Sequence, residues 1–173
     1  MAKKSTRKTD TTTRQRFDAI DRAILRELQD NARITNTTLA ERVGISPPST
    51  LERVKKLERK GVITGYVALL DAPAVGRSVL AIVHVSIKEH SAAALQQTRT
   101  KLSSFDEVQA CWYCAGEEDF ILKVRVSDME GYERFVSRKL ATVAGIGRLR
   151  TSFVLSTIKD TPCIALEMVE DAP

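Results

Sequence analysis

The sequence is poor in the residues that characterise secreted, membrane-spanning and metal-dependent proteins. Among 173 residues there are three cysteines and two histidines, and aromatic residues make up 5%. An odd number of cysteines in a chain of this length argues against a disulfide framework. No apolar run approaches the length of a membrane span, and residues 1–16 lack the apolar core of a secretory signal. We therefore expect a cytoplasmic protein without a membrane partner.

Catalytic and metal-binding motifs are also missing. The sequence has no G-x-S-x-G, no glycine-rich phosphate loop and no H-E-x-x-H. Cys111 and Cys114 have C-x-x-C spacing, but their strand-like segment offers no helix N-terminus to activate a thiol. A zinc site would need two further ligands, and His84 and His90 have no matching spacing. We expect no enzyme activity, no metal and no cofactor.

Positive charge is concentrated at the N-terminus. The chain carries a net charge of +5, and residues 1–16 hold six Lys and Arg against one Asp. This segment is nearly devoid of apolar residues, so we predict a disordered basic tail over 1–16. It serves either as a solubilising tail or as an arm that contacts nucleic-acid phosphates.

Three helices are predicted over residues 17–66. Asp18 caps the first, the second begins near Asn36, and Gly44 turns the chain into the third. Ser46 is the N-cap of the third helix, and Pro47 falls at its first position, where the missing N–H costs nothing and the fixed φ is already helical. The third helix should therefore have a rigid entrance and bury Leu51, Val54 and Leu57.

Two short helices joined by a glycine turn, the second basic and outward-facing, are typical of a helix-turn-helix that places one helix in the major groove of DNA. We expect Ser49, Thr50 and Arg53 to reach base edges, with Arg53 on a guanine, and Lys56 and Lys60 to contact phosphates. The complete predicted set is Pro48, Ser49, Thr50, Arg53, Lys56 and Lys60. The alternative is a surface helix whose charges are only solvated.

The remainder of the chain predicts a second domain. Residues 62–71 alternate enough for a strand or strand pair, and 67–78 is interpreted as a linker. Residues 79–160 show the order β-α-β-β-α-β, which is the ferredoxin-like unit, and 161–173 is left as a tail. The fold class is therefore α+β. An apolar sheet face without a covering helix would favour a homodimer.

Four segments resemble the Lrp/AsnC (feast/famine) family of transcription regulators. They are FDAIDRAILRELQDNARIT, LAERVGISPPSTLERVKKLERKGVITGYVALLD, GEEDFILKVRVSDMEGYERF and GIGRLRTSFVLSTIKDT. The resemblance runs from about Phe17 to Thr161. It implies an N-terminal, winged-helix-like helix-turn-helix and a C-terminal ferredoxin-like (RAM) domain. It also implies double-stranded DNA as a partner and homodimers that assemble into octamers or similar rings.

The resemblance further implies a small effector, usually an amino acid, bound between the C-terminal domains. The glycine and aspartate of the family's effector loop correspond to Gly116 and Asp119, and a polar pair on its final strand to Thr151 and Ser152. Asp119 suits an α-ammonium group, and Gly116 lets the backbone approach a ligand. The alternative is a tight hairpin with solvated acids.

Two other functions remain open on the sequence alone. The first is an architectural DNA-compacting protein of the same family that needs no effector. The second is the regulatory subunit of a metabolic enzyme.

Overall fold

The computed structural model describes residues 17–166, which form two compact units. The N-terminal unit contains residues 17–68 together with 161–166, and the second unit is Leu69–Asp160. The basic tail predicted over 1–16 lies outside the described residues, as does 167–173.

The N-terminal unit is built from three helices, α1 (Ala19–Asp30), α2 (Asn36–Val43) and α3 (Pro47–Arg59). Each begins with a side-chain cap from Asp18, Thr35 or Ser46, whose oxygen accepts the N–H three residues later. Gly44 ends α2 with φ 72°, a left-handed conformation that glycine adopts without steric cost. A small apolar core of Ile24, Leu25, Leu39 and Leu57 joins the helices.

The strand predicted within residues 62–71 is not formed. The N–H groups of Val62 and Ile63 both donate to the Leu57 carbonyl, which closes the end of α3, and both side chains pack on the helical core. Beyond them Val67 and Leu69 are 77% and 72% exposed. Within the described residues, the N-terminal unit is therefore helical, without the strand pair of a wing.

The second unit has the predicted β-α-β-β-α-β order. Its elements are β1 (Val79–Ile87), α4 (Ala92–Leu102), β2 (Val108–Tyr113), β3 (Phe120–Val126), α5 (Met129–Arg138), a short 3-10 helix (Leu140–Thr142) and β4 (Ile146–Phe153). The antiparallel sheet has the strand order β2-β3-β1-β4. Alternate residues of β1 and β3 are buried against residues of α4 and α5, so the helices cover one face.

The other sheet face is mixed rather than apolar, which corrects the expectation from sequence. Ile82 and Ile121 share it with His84, Arg150 and Ser152, as the register of β1 with β3 and β4 shows. Charged side chains interrupt the apolar surface because β3 and β4 place cations at outward positions.

The segment 161–166 is part of the N-terminal unit and not a separate tail. The side-chain amide of Gln29 accepts the Ile164 N–H at 2.6 Å and donates to the Ile164 carbonyl at 3.0 Å. Leu166 packs against the helical core, and Arg26 donates to its carbonyl at 3.3 Å. The last described residues therefore complete the core of the three-helix unit.

An ion-pair cluster fixes α3 against the start of α1. Arg53 Nη1 donates to Asp18 Oδ2 at 2.6 Å and to Asp21 Oδ1 at 2.7 Å. The side chain of Asp21 is only 12% exposed, so loss of Arg53 would leave a largely buried carboxylate without its cationic partner. The N–H of Asp21 and the Arg53 guanidinium lower the pKa of Asp18, and the two carboxylates raise the pKa of Arg53. Arg53 therefore ties α3 to α1.

We predict that Arg53→Ala lowers the free energy of unfolding by about 1–2 kcal/mol, because it leaves Asp21 without its cation. A double-mutant cycle with Asp21→Ala should give a coupling energy of about 1 kcal/mol in urea denaturation. Lys55→Ala, on the exposed side of the same helix, is the control and should change stability by less than about 0.5 kcal/mol. Unchanged stability of Arg53→Ala would contradict a clamping role.

We also predict that Leu166→Ala lowers the stability of the N-terminal unit by about 1–2 kcal/mol, because it removes part of the core. Ile164→Ala is the matched control, since the Ile164 side chain is 73% exposed and only its backbone is held. Amide hydrogen exchange in α1 measures both variants. Equal exchange in Leu166→Ala and the unmodified chain would show that the segment does not stabilise the helices.

Candidate DNA-binding and effector sites

The entrance of α3 is fixed by its sequence. Ser46 Oγ accepts the Ser49 N–H, and Pro47 and Pro48 occupy the first helical positions. The side-chain amide of Asn36 donates to the Pro47 carbonyl at 2.8 Å. The start of α2 therefore holds the start of α3, which sets the direction of the third helix.

The prediction that Thr50 contacts a base is wrong. Thr50 is 0% exposed, and its hydroxyl donates to the Ser46 carbonyl at 3.1 Å. The inward stripe of α3 is Thr50, Val54 and Leu57, whereas Leu51 is 41% exposed. The sequence interpretation placed Val54 and Leu57 correctly, but it expected Leu51 inside and Thr50 within reach of a base.

Arg53 does not lie free to read a guanine. Its guanidinium lies on Asp18 and Asp21, and its side chain is 31% exposed. A contact with a base would require the Arg53 guanidinium to break its ion pairs with two carboxylates. The structure therefore supports a role for Arg53 in positioning α3 and not the predicted contact with a guanine.

The outward face of α3 is polar and cationic. Pro48, Ser49, Lys56 and Lys60 are exposed, as predicted for DNA contacts. Two further cations lie on this face. The sequence pattern already places Arg59 outward, although not in the predicted contact set, whereas Lys55 was missed. A helical wheel centred on Thr50, Val54 and Leu57 places both opposite the core.

Most of these cations are available to an anionic partner. Within residues 17–166, the side chains of Lys56, Arg59 and Lys60 form no ion pair, and Lys55 lies 3.7 Å from Glu52. Unpaired cations on one face of a helix can bind the phosphates of a duplex while the helix lies in the groove.

Two of the predicted effector residues, Gly116 and Asp119, lie in the turn between β2 and β3, and the carboxylate of Asp119 already has partners. Asp119 Oδ2 accepts the Ile87 N–H at 2.8 Å, and its Oδ1 lies 2.8 Å from His90 Nε2. His90 is 59% exposed at its side chain and Asp119 17%. One oxygen of Asp119 thus accepts a backbone N–H of β1. Within the described residues, the hydrogen-bond partner of the other oxygen is the exposed imidazole of His90.

A second acidic residue of this turn belongs to the outer sheet face. Glu118 Oε1 accepts from Arg150 Nη2 at 2.6 Å, and its Oε2 lies 4.0 Å from His84 Nδ1. The Nδ1 atom of His84 is buried and makes no hydrogen bond within the described part of the chain. Sequence reasoning gave these three residues no role, because only the β1–β4 register brings His84 opposite Arg150.

Thr151 and Ser152 do not act as a pair. Thr151 is opposite Val83 on the helix-covered face, where its hydroxyl contacts the Tyr132 hydroxyl. Ser152 is opposite Ile82 on the outer face, which it shares with Arg150. Adjacent residues of a strand point to opposite faces, so only Ser152 shares a surface with the cluster of Glu118, Arg150 and His84.

Gly116 is exposed at the turn between β2 and β3, and a Cβ there would meet no atom within 4 Å.

The cysteine pair shows no sign of redox activation. Burial raises the pKa of the Cys111 thiol, and the neighbouring Cys114 raises it further, so the reactive thiolate is disfavoured. Among residues 17–166 there is no cluster of three or more His, Cys, Asp or Glu side chains placed to hold a metal ion. No helix in that range is both long and apolar enough to cross a membrane.

Comparisons with known proteins agree with this two-part arrangement. Residues 17–64 match the family model for a winged helix-turn-helix DNA-binding domain, and residues 80–164 match the model for the Lrp/AsnC ligand binding domain. The leucine-responsive regulatory protein of Rhizobium meliloti is 43% identical over 147 residues, which cover 85% of this chain and 94% of that protein.

Solved structures give the same result. A transcriptional regulator from Neisseria meningitidis, solved in complex with L-methionine, superposes with a TM-score of 0.83 at 35% identity and covers 87% of this chain and 97% of its own. A feast or famine regulatory protein from M. tuberculosis, also complexed with L-methionine, gives a TM-score of 0.78 at 33% identity, over 85% of this chain and 97% of its own. With an N-terminal helix-turn-helix that carries a cationic helix face and a C-terminal ferredoxin-like domain, the chain belongs to the Lrp/AsnC family of DNA-binding transcription regulators.

Proposed function

We propose that this regulator binds duplex DNA through the outward face of α3 and that an amino acid bound at the β2–β3 turn changes its assembly or DNA affinity. The observation that carries the DNA part is the group of exposed cations on the outward face of α3, of which Lys56, Arg59 and Lys60 form no ion pair within residues 17–166. Lys55, Lys56, Arg59 and Lys60 bind phosphates, and Pro48 and Ser49 lie closest to the base edges.

The active form is a homodimer or a larger ring. Large apolar side chains are exposed in the segments that precede β1 and follow β4. Leu69 and Leu70 are 72% and 71% exposed, and Leu155 and Ile158 are 98% and 92% exposed. Exposed apolar residues in this number are typical of a surface covered by another copy. A dimer also presents two α3 helices to successive major grooves, as a two-fold symmetric operator requires. We place this protein in the cytoplasm, where it regulates transcription and catalyses no reaction.

The amino-acid effector is supported by the chemistry of the turn and by two relatives. The regulators from Neisseria meningitidis and M. tuberculosis were both solved with L-methionine. Here Asp119 Oδ1 faces an exposed imidazole, so a ligand ammonium group can replace His90 while Oδ2 keeps the backbone of β1 in place. The match to a ligand-binding domain favours this function over an effector-independent architectural protein.

We predict that Lys56→Gln weakens binding to all duplex sequences alike and reduces the slope of log affinity against log salt by about 1, because one phosphate contact is lost. Glu52→Gln, on the same outward face, should change affinity in the opposite direction because it removes a negative charge from the DNA-facing side. Fluorescence anisotropy over a salt series measures both. An unchanged salt slope in Lys56→Gln would place the duplex elsewhere.

We predict that one or more of the twenty amino acids raises the melting temperature and that Asp119→Asn weakens this ligand about 10-fold or more, because a charged hydrogen bond is lost. Asparagine keeps an acceptor for the Ile87 N–H, so the fold should persist. His90→Ala is the matched control: it removes the competing imidazole, and ligand affinity should stay equal or rise. A full ligand response in Asp119→Asn would exclude Asp119 from the site.

A further inference from the structure

The second unit contains a cavity of about 260 Å³ that no function above uses. It lies beside α5, where the end of β3 and residue Arg77 approach the helix. Val126 and Phe135 form its apolar part, and both are buried. The charged residues around it are Arg77, Glu107, Arg134, Arg138 and Lys139.

The charges around this cavity do not balance. Glu107 accepts from Lys139 Nζ at 2.7 and 2.8 Å, and Arg134 pairs with Glu130 at 2.5 Å. The guanidinium groups of Arg77 and Arg138 form no hydrogen bond or ion pair within residues 17–166, although Arg77 also interacts electrostatically with Glu107. Two guanidinium groups whose N–H donors are not engaged within these residues thus line one cavity.

The backbone leaves this cavity accessible. Gly131 lies in the first turn of α5, and a Cβ there would come within 2.9 Å of Ser127 Oγ, 3.3 Å of Asp128 Oδ1 and 3.6 Å of Arg134 Nη2. Gly131, Ser127 and Arg134 line the cavity. A side chain at position 131 would therefore take up space in the lining of the cavity, beside Arg134.

The cavity is distinct from the turn that carries Asp119. Ser127 follows the last residue of β3, whereas Asp119 precedes the first. The seven residues of β3 at about 3.3 Å each separate the two places by roughly 20 Å. Nothing bound at one place can contact the other directly.

We propose that this cavity binds a compact oxyanion with two negative charges. Arg77 and Arg138 hold its oxygens, because a guanidinium group donates two parallel N–H bonds to a phosphate or carboxylate. Arg134 and Lys139 contribute less, because Glu130 and Glu107 already pair with them. The volume suits a small anion rather than a nucleotide. Inorganic phosphate and a short dicarboxylate share this chemistry.

Calorimetric titration of the full chain with inorganic phosphate and, separately, with succinate tests the proposal, with chloride used to keep the ionic strength constant. We expect saturable binding of at least one probe, weakened about tenfold or more in Arg77→Gln/Arg138→Gln. Both residues are exposed and form no hydrogen bond or ion pair with residues 17–166, so this variant should fold normally. The tighter of the two probes identifies whether phosphate or carboxylate is preferred.

Arg148→Gln is the matched control, because Arg148 is an exposed arginine of β4 outside the cavity. The affinity of the Arg148→Gln variant for either probe should stay within about twofold of that of the unmodified chain. Gly131→Ala should weaken binding of the probes, because the added methyl group takes up space in the lining of the cavity. Absence of saturable binding by both probes, or an equal loss in Arg148→Gln and in the double variant, overturns the proposal.

Discussion

The direction of α3 is the constraint on which the DNA-binding surface depends. Three contacts set it: the capped proline entrance at Ser46, the bond from Asn36 to the Pro47 carbonyl, and the ion pairs of Arg53 with the start of α1. Because these contacts lie on the inner side of the helix, the outer side is free to carry lysine and arginine, of which Lys56, Arg59 and Lys60 form no ion pair within residues 17–166. The same residue type therefore has two roles in α3, since Arg53 orients the helix and Arg59 faces outward.

Much of the fold follows from local sequence signals. The caps at Asp18 and Ser46, the turn at Gly44 and the β-α-β-β-α-β order were all predicted correctly, because each depends on a few neighbouring residues. In the buried stripe of α3, Val54 and Leu57 were predicted correctly, whereas Thr50 takes the place expected for Leu51. A threonine is more buried than the adjacent Leu51 because its hydroxyl finds the Ser46 carbonyl, and only the packed structure shows this bond.

The site residues show where sequence reasoning stops. Arg53 looked like a base reader because it is cationic and lies in the right helix, and its partner Asp21 is 32 positions away in the chain. Glu118 looked like a solvated turn residue until the strand register placed Arg150 beside it. The last described residues looked like a tail until Gln29 was found to hold Ile164. Contacts between distant residues decide all three, and no local pattern predicts them.

Cross-linking to duplex DNA tests the central claim most directly. A photoreactive amino acid placed at Ser49 or Lys55 samples the outward face of α3, and the same group at Gln96 samples an exposed position of α4. The account predicts cross-links to DNA from positions 49 and 55 and none from 96. Cross-links from 96 alone, or equal yields from all three positions, would contradict the assignment of α3 as the helix that contacts the duplex.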